Sequence, residues 1–455
     1  DPERTPFVTT SVTSAGRSVA PHSGPNPWVT LAALAAGYFL ILVDQGLMPV
    51  ITPRLPYEVG DAVWLTSVYL LCTVVPMPVT GRLGDKYGQR PVFLTGLSIY
   101  VAALAIAAGS SHLWGLVLAR AIQGVGSAIF LPQAFGMINR VFPQHKRGPA
   151  FAAWGVIGSI ASLTGPVVGG AIIDAGGWRA GFIAQAVLGV VALCAAFAWV
   201  PRLPSSPAQI DLASVALSFA GLGFLIYGIQ YGNVVAIVLG LCGVALIIWR
   251  GVSGRDHGFL PVGLFRDSNF ALGTLGVAAL GFTAASMFIP MMYWLQTVME
   301  VSSARAGLLT APMSIVALVL TPVAGVLSDK MRPKVLCVFG FGTMSIALLA
   351  TYAVVRTGAN PLWVALLAAI FGVGSAFTWA PNATTTMRSV PEEDSGAASG
   401  LYNTLRQVGS VLGVALVGAV LVSGDIAVSV RWAVLIPLAA MLIGAVSSFF
   451  LKSDR

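Results

Sequence analysis

The chain has 455 residues, of which 56% are hydrophobic and only 9% are charged. Soluble globular proteins carry about 25% charged residues, so this composition excludes that class. Repeated apolar runs of 18 residues or more are typical of membrane spans, and they indicate an all-α polytopic membrane protein. The net charge is +8, and the basic residues that produce it fall in short loops rather than in one patch. We therefore expect contact with membrane lipids and no nucleic-acid partner.

Fourteen apolar segments are predicted to cross the membrane. Most of the connections between them are short, which favours antiparallel neighbouring helices. In chain order the predicted spans cover approximately residues 28–50, 63–81, 91–109, 113–138, 149–173, 180–200, 211–231, 233–249, 271–297, 305–326, 335–355, 361–384, 396–422 and 430–450.

The distribution of basic residues predicts the orientation of the chain. With the N-terminus placed in the cytoplasm, 18 Lys and Arg residues fall in cytoplasmic segments and 5 in external ones, while Arg120 and Arg406 lie within spans. Cytoplasmic loops of membrane proteins carry an excess of Lys and Arg. We therefore expect a multi-pass protein of the cell membrane with both termini in the cytoplasm.

A faint internal repeat divides the chain into two halves. GRLGDKYGQR (81–90) follows the second span, and GVLSDKMRPK (325–334) follows the tenth. Similar loops after the second span of each half indicate parallel halves related by an axis along the membrane normal. The predicted domains are a mobile cytoplasmic segment (1–27), a six-helix bundle (28–200), a linker with two additional helices (201–250), a cytoplasmic loop (251–270), a second six-helix bundle (271–450) and a cytoplasmic tail (451–455).

The first repeated loop, GRLGDKYGQR, resembles the loop motif of the major facilitator superfamily, Gly-x-Leu-Ala-Asp-Arg-x-Gly-Arg-Lys/Arg. Gly81 permits close helix approach, Asp85 can face a helix N-terminus, and Arg90 offers a charge for a gated ion pair. The resemblance implies a role in conformational gating for these residues and for Asp329 in the second loop. Gln89 stands where the family usually has arginine, which removes one partner from a charge relay. The alternative is a basic loop that only sets the topology.

Two further motifs lie within spans. LARAIQGVGSA (118–128) is similar to the fourth-span motif of proton-coupled members, which implies proton coupling through Arg120 and Gln123. AFAAWGVIGSIASLTGPVVGG (150–170) resembles the fifth-span motif that separates exporters from importers. A proline bends a membrane helix, and flanking glycines let a neighbouring helix fill the bend. The residues of this motif expected to act in gating are Gly165, Pro166, Gly169 and Gly170.

Several other stretches, including GGWRAGF and GAASGLYNTLRQVGSVLGVAL, are similar to the fourteen-helix drug:proton antiporter branch of the superfamily. The resemblance implies the major facilitator fold, with two six-helix bundles and two extra central helices. It implies a monomeric antiporter that exports amphipathic or cationic drugs by alternating access, with the proton as coupling ion and no other cofactor. Export of a lipid or cell-envelope precursor is the alternative within this class.

Asp44 and Arg120 occupy matching depths in the first and fourth spans. Asp44 lies seven residues before Ile51, near which its span ends, and Arg120 lies seven residues after Leu113, near which its span begins. At about 1.5 Å per residue both lie roughly 10 Å beneath the external face, so we expect an ion pair. Burial and a nearby cation act in opposite directions on a carboxylate, so we predict that Asp44 carries the proton and that Arg120 and Gln123 tune it. The alternatives are a fixed ion pair that only specifies packing, and direct binding of a cationic substrate by Asp44.

A substrate cavity is expected between the halves. Several polar residues in the spans, with soft apolar neighbours, resemble positions that face this cavity in the family. Core packing is the alternative for the Met and aromatic members, and Arg406 alternatively satisfies carbonyl groups or a partner acid. The candidate cavity residues are Gln45, Phe288, Met292, Tyr293, Gln296, Trp379, Asn382, Asn403 and Arg406.

Enzymatic motifs are missing from the sequence. The four histidines are scattered over loops and the N-terminal segment, and no His-Glu-x-x-His or Gly-x-Ser-x-Gly motif occurs. No Gly-x-x-x-x-Gly-Lys-Ser/Thr stretch occurs either, which argues against ATP as a driver. The four cysteines lie far apart without metal-ligand spacing. We expect no enzyme and no metal site, and a non-transporting receptor or scaffold with the same fold is a minor alternative.

Overall fold

The computed structural model describes residues 26–203, 212–253, 262–388, 390–391 and 395–452. The predicted N-terminal segment up to residue 25 and the tail beyond residue 452 lie outside the described residues, as does most of the loop before the ninth predicted span. Within the described ranges the chain is helical and contains no β-strand.

Sixteen α-helices follow one another along the described chain. Their bounds are Pro27–Ile51 (α1), Val59–Val74 (α2), Met77–Tyr87 (α3), Gln89–Gly109 (α4), Leu113–Val141 (α5), Gln144–Trp199 (α6), Leu212–Tyr231 (α7), Val234–Val252 (α8), Ser268–Ser286 (α9), Phe288–Tyr293 (α10), Ser303–Lys330 (α11), Pro333–Thr357 (α12), Leu362–Ala376 (α13), Trp379–Met387 (α14), Ser395–Val422 (α15) and Ile426–Phe449 (α16).

The helices have the length and apolar character of membrane spans. In the described residues, eleven helices are long and apolar enough to cross a membrane, and two shorter apolar helices lie at Val59–Val74 and Val215–Tyr231. Large apolar side chains also cover the outer surface, for example Trp114, Val234 and Phe197, which are 75%, 70% and 68% exposed. A lipid environment accommodates such a surface, whereas water does not. The chain is therefore an all-helical, multi-pass membrane protein.

The 56-residue helix α6 contains a reversal. Gly177 has φ 74° and ψ 179°, a conformation that glycine adopts without the steric cost of a Cβ. The ring of Phe142, just before α6, lies 5.2 Å from that of Trp28. The carbonyl of Trp199, the last residue of α6, accepts a hydrogen bond from Thr30 Oγ1 at 3.0 Å. Both ends of α6 therefore lie at the start of α1, and its two arms match the predicted spans 149–173 and 180–200.

Three predicted spans are interrupted within their length. The span predicted at 63–81 is divided into α2 and α3 at Pro76, because proline has no amide hydrogen to continue the helical ladder. The span predicted at 271–297 breaks between α9 and α10 and ends in the π-helical turn Trp294–Val298. The span predicted at 361–384 breaks between α13 and α14. Such breaks at membrane depth need neighbouring protein to satisfy the freed backbone groups.

The helices pack into two groups. In the first group α1 packs along both arms of α6, and α5 packs against α2 and α4. In the second group α9 packs against α15 and α16, while α12 packs against α13 and α16. The hairpin of α7 and α8 lies beside them, and α7 contacts both α2 and α15. We refer to α1–α6 as the first half and to α9–α16 as the second half.

Candidate functional site

The charged side chains of Asp44 and Arg120 meet inside the first half. Arg120 Nη1 lies 2.8 Å from Asp44 Oδ1 and 2.9 Å from Oδ2. The two side chains are 0% and 1% exposed, respectively. Gln123 closes the group, because its Nε2 donates to Asp44 Oδ1 at 3.1 Å and its Oε1 accepts from Arg120 Nη1 at 2.7 Å. The structure thus contains the ion pair expected from matching depths, and we call these three residues the buried triad.

Helix α2 completes the surroundings of Arg120. Arg120 Nε donates to the carbonyl of Leu65 at 3.3 Å, and the guanidinium carbon of Arg120 lies 4.3 Å from the centre of the Tyr69 ring. Close approach of α2 and α5 makes these contacts possible, since a methyl group at Gly124 would lie 2.5 Å from the Tyr69 carbonyl oxygen. A buried charge is tolerated when it is paired and its remaining donors are satisfied.

The glycine-proline segment of α6 packs against the part of α1 that carries Asp44. A methyl group at Gly165 would lie 2.7 Å from the carbonyl oxygen of Val43, and one at Gly46 would lie 2.9 Å from Pro166 Cδ. Real Cβ atoms do not approach other atoms so closely, so α1 and α6 are in backbone contact here. A movement of α6 along α1 would therefore displace the segment on both sides of Asp44.

The same segment of α6 also contacts the second half. A methyl group at Gly170 would lie 3.0 Å from Ala304 Cα on α11, and one at Gly307 would overlap the Pro166 carbonyl. Gly169 lies beside Leu47 of α1. The residues predicted to act in gating are thus in contact with α1 on one side and with α11 on the other. Their role in gating stays a prediction.

Polar contacts join the two halves at the end where α1 ends. Asp174, next to the reversal of α6, accepts hydrogen bonds from the backbone N–H groups of Ser303 at 3.0 Å and Ala304 at 2.8 Å. A carboxylate at a helix N-terminus is favoured by the helix dipole and by these charge-assisted bonds. Burial acts to raise the pKa of Asp174, but the bonds from Ala304 and Ser303 outweigh it and lower the pKa below its ordinary value.

A second group of contacts lies at the same end. Arg54 Nε donates to Gln296 Oε1 at 2.9 Å and lies 3.1 Å from Ser303 Oγ. Gln296 Nε2 donates to the carbonyl of Val50 at 3.1 Å. We call the hydrogen bonds that Arg54, Gln296, Ser303 and Asp174 make across the two halves the closure contacts. Sequence reasoning missed Arg54, Ser303 and Asp174; the available signal was a lone arginine and a lone aspartate close to the predicted external ends of spans.

Several predicted cavity residues are not open to a cavity in this conformation. Gln296 is 7% exposed and its amide is used by the closure contacts. Met292 and Tyr293 are 0% and 4% exposed, because they pack in the core around α10. Asn382 is 0% exposed, and its Nδ2 donates to the carbonyl of Gly273 and to the Tyr402 hydroxyl. These four residues are buried in this conformation, and their contact with a substrate stays a prediction.

The remaining predicted cavity residues keep accessible surface. Gln45 and Asn403 are exposed, although Asn403 Nδ2 donates to the Ser399 carbonyl one turn earlier. Phe288, Trp379 and Arg406 are half-buried. Their contact with a substrate stays a prediction.

Close helix approach at the first repeated loop occurs at a different glycine from the one predicted. A methyl group at Gly81 would lie 3.8 Å from Pro132 Cβ, which is an ordinary contact, whereas one at Gly84 would overlap the side chain of Gln133. Gln133 in turn donates to the Thr80 carbonyl at 2.6 Å. The tight contact of α3 with α5 therefore lies at Gly84 rather than at Gly81, and the role of Gly81 in gating stays a prediction.

Arg90 is engaged inside the first half. Its Nη2 donates to the Phe197 carbonyl at 2.7 Å, and its guanidinium lies 5.6 Å from the Phe197 ring centre. This is a contact between the start of α4 and the end of α6. The side chains of Asp85 and Asp329 lie outside the described part of the structure, so the ion pair expected for this loop stays a prediction.

Two helical halves that meet at one end, a charged triad buried inside the first half and an apolar exterior are together typical of a polytopic membrane transporter. The family follows from comparison with known proteins. Residues 34–414 and 274–455 match the model of the Major Facilitator Superfamily. The chain belongs to this superfamily, which confirms the resemblance seen in its motifs.

The relatives of the chain are transporters of the same superfamily. It is 36% identical over 413 residues to the uncharacterised MFS-type transporter Rv1250 of Mycobacterium tuberculosis, covering 88% of this chain and 71% of that protein. It is 26% identical over 441 residues to the tetracenomycin C resistance and export protein of Streptomyces glaucescens, covering 90% and 80%. Among solved structures, the POT family transporter PepTSo superposes with a TM-score of 0.71 at 15% identity, over 92% of this chain and 97% of that one. This last likeness shows the fold alone.

Proposed function

We propose that this chain is a proton-coupled antiporter of the cell membrane that exports amphipathic compounds by alternating access. The observation that carries the proposal is the buried triad, in which the carboxylate of Asp44 binds Arg120 and Gln123. The backbone of α1 on both sides of this carboxylate contacts Gly165 and Pro166 of α6. The same segment of α6 contacts α11, so a movement between the halves would act on the triad.

The span count of this proposal is fourteen. It is reached when α6 is counted as two spans because of the reversal at Gly177, and when each of the pairs α2–α3, α9–α10 and α13–α14 is counted as one interrupted span. With the basic loops in the cytoplasm, the start of α1 is cytoplasmic. The closure contacts are then on the external side, and the conformation faces inward.

The coupling step follows from the chemistry of the triad. With the external side closed, ionised Asp44 is stabilised by Arg120 and Gln123. Opening of that side would move α6 against α1 and weaken these bonds, so that Asp44 would exchange its bond to Arg120 for a proton from the external side. Return to the inward-facing state would restore Arg120 to the carboxylate and release the proton inward. Each proton that enters the cell releases about 2.3 kcal/mol of free energy per 100 mV of membrane potential.

The substrate class draws support from a relative. The protein of Streptomyces glaucescens is described by its name as conferring resistance to, and exporting, tetracenomycin C. We carry over only the general property, export of an antibiotic-like organic compound.

The test is substrate-driven proton flux in liposomes for the wild type and Asp44→Asn. We expect the variant to lose the flux, since asparagine keeps the shape of the side chain and cannot carry the proton. Asp425→Asn is the matched control, because Asp425 caps the start of α16 with a bond to Ala427 N and lies outside the triad. Flux at the wild-type level in Asp44→Asn would overturn the assignment of the proton carrier.

A further inference from the structure

A second arginine, Arg406, lies at mid-depth between the halves. It follows the start of α15 by eleven residues (395 to 406), and Tyr38 follows the start of α1 by eleven (27 to 38). The two helices begin at the same end of the molecule, because α1 and α15 end close together: a short connection leads from α1 to α2, and Gly60 in the first turn of α2 contacts Val422 at the end of α15. At about 1.5 Å per residue, both residues lie roughly 16 Å from that end.

The positive charge of Arg406 is not compensated within the described part of the chain. The described residues offer its guanidinium no hydrogen bond and no ion pair. Its electrostatic neighbours are the hydroxyl groups of Tyr38, across the interface between the halves, and of Tyr402, one turn earlier on α15. Asp44, the acid buried in α1, is already bound to Arg120.

Aromatic rings form a wall opposite Arg406. The rings of Tyr38 and Trp154 are stacked, with centres 4.5 Å apart and an interplanar angle of 16°. Phe135 lies against Trp154 at 5.2 Å and is itself 39% exposed. Trp154 is itself only 4% exposed and packs against both neighbours, so the accessible aromatic surface comes from Tyr38 on α1 and Phe135 on α5. Planar rings prefer offset stacking or edge contacts with such a surface.

We propose that the compound carried by this transporter is an aromatic anion, whose carboxylate or phenolate binds Arg406 and whose ring packs against the accessible parts of Tyr38 and Phe135. An arginine within a membrane protein is costly unless it is paired, and its planar fork matches a carboxylate. A cationic compound would be repelled by Arg406 and would find the charge of Asp44 already neutralised. The inference rests on the proposed export function and replaces the expectation of cationic drugs.

The test measures equilibrium binding of three tritiated compounds to the purified protein in detergent, without any gradient. The three compounds share the naphthalene ring system. They are 1-naphthaleneacetate, 1-naphthaleneethanol and 1-naphthylethylamine. We expect the acid to bind at least tenfold more tightly than the alcohol or the amine. In Arg406→Gln the affinity for the acid should fall to the affinity for the alcohol. The affinity for the alcohol should stay within twofold of the wild-type value, which would show that the variant is folded. Arg356→Gln, at an exposed arginine of α12, is the matched control and should keep the preference.

Three outcomes would overturn the proposal. The first is amine binding as tight as that of the acid, and the second is a tenfold preference for the acid that survives in Arg406→Gln. The third is competition by acetate at the same concentration as the naphthalene acid, which would show that the ring contributes nothing. Binding without a gradient does not depend on proton coupling. Loss of the acid preference therefore leaves the coupling proposal intact, and unchanged proton flux in Asp44→Asn leaves the anion site intact.

Discussion

Asp44 and Arg120 stabilise each other because neither charge reaches water. Both side chains are at most 1% exposed, and Gln123 bonds to both. Removing one partner of a buried ion pair leaves an uncompensated charge and costs about 3–5 kcal/mol. The pair is therefore a structural requirement in this conformation as well as a candidate for coupling, and the two roles can be separated by experiment.

We expect Arg120→Gln to lose about 3 kcal/mol of stability, because Asp44 then stays buried without its cation. The double variant Asp44→Asn with Arg120→Gln should be more stable than Arg120→Gln alone, since no charge is left in the triad. The measurement is thermal unfolding in detergent for the wild type, both single variants and the double variant. Strictly additive losses would contradict the account, because they would show that the two side chains do not interact.

At the scale of helices, the contact of α1 with α6 depends on glycine. Gly165 has no room for a side chain, because a methyl group would lie 2.7 Å from the Val43 carbonyl. Gly155 lies on the same arm of α6 with nothing within 4 Å of such a methyl group. The two positions therefore form a matched pair that separates crowding from a change in helix propensity.

We expect Gly165→Ala to destabilise the protein by about 1–3 kcal/mol, the usual range for overpacking, and to lower transport because α1 and α6 are forced apart. Gly155→Ala should leave both properties near the wild-type level. Melting temperature and substrate flux in liposomes check the two expectations. Equal effects of the two substitutions would show that the backbone contact is unimportant.

The closure contacts belong to the same scale, since Asp174 caps α11 from the opposite half. We expect Asp174→Asn to shift the population towards opening at this end by roughly fivefold, which corresponds to about 1 kcal/mol for a charge at a helix N-terminus. Distances between spin labels on the two halves measure the shift. Asp425→Asn is the control, because Asp425 caps α16 within its own half. A distance distribution unchanged by Asp174→Asn would contradict the role of this contact.

The same carboxyl gives a pH dependence with a defined sign. The pKa of Asp174 is lowered, so its contribution to closure is present above the ordinary carboxyl pKa and is lost as the pH falls through the lowered value. We therefore expect the distances between spin labels to be unchanged from pH 7 to pH 5 and to lengthen only in stronger acid. If the distances already lengthened at pH 6, and did not do so in Asp174→Asn, the carboxyl would be titrating above its ordinary pKa. That result would contradict the lowered pKa of Asp174.

At the scale of the whole molecule, hydropathy predicted the helices more closely than it predicted the site. The span predicted at 91–109 is observed as Gln89–Gly109, because a run of apolar residues of membrane length has few other stable conformations. Counting residues also placed Asp44 beside Arg120, since depth in a membrane follows from the helical rise. The reversal at Gly177 was predicted only as a gap between spans.

The rest of the site depends on the tertiary arrangement. A polar residue in a span can face a cavity or a neighbouring helix, and the pattern of Gln296 or Asn382 in the sequence does not distinguish the two. The closure contacts join residues more than 100 positions apart, such as Asp174 with Ser303, and they exist only when the halves meet at this end. Sequence periodicity contains no information on such a state.

Alternating access requires that the closure contacts open in each cycle. We expect Asp174→Cys with Ala304→Cys, in a chain whose four native cysteines are replaced, to lose transport when a short thiol cross-linker joins the halves. Removal of a cleavable cross-linker should restore transport. Full transport by the cross-linked protein would contradict opening at this end.

The central claim is that Asp44 couples the proton to the substrate. The most direct measurement compares uphill accumulation of substrate, driven by a pH gradient, with exchange of labelled for unlabelled substrate at equal pH, in liposomes with Asp44→Asn. The account predicts that uphill accumulation is lost while exchange is retained, because the variant still changes conformation with substrate bound and carries no proton. Uphill accumulation at the wild-type rate in Asp44→Asn would contradict it.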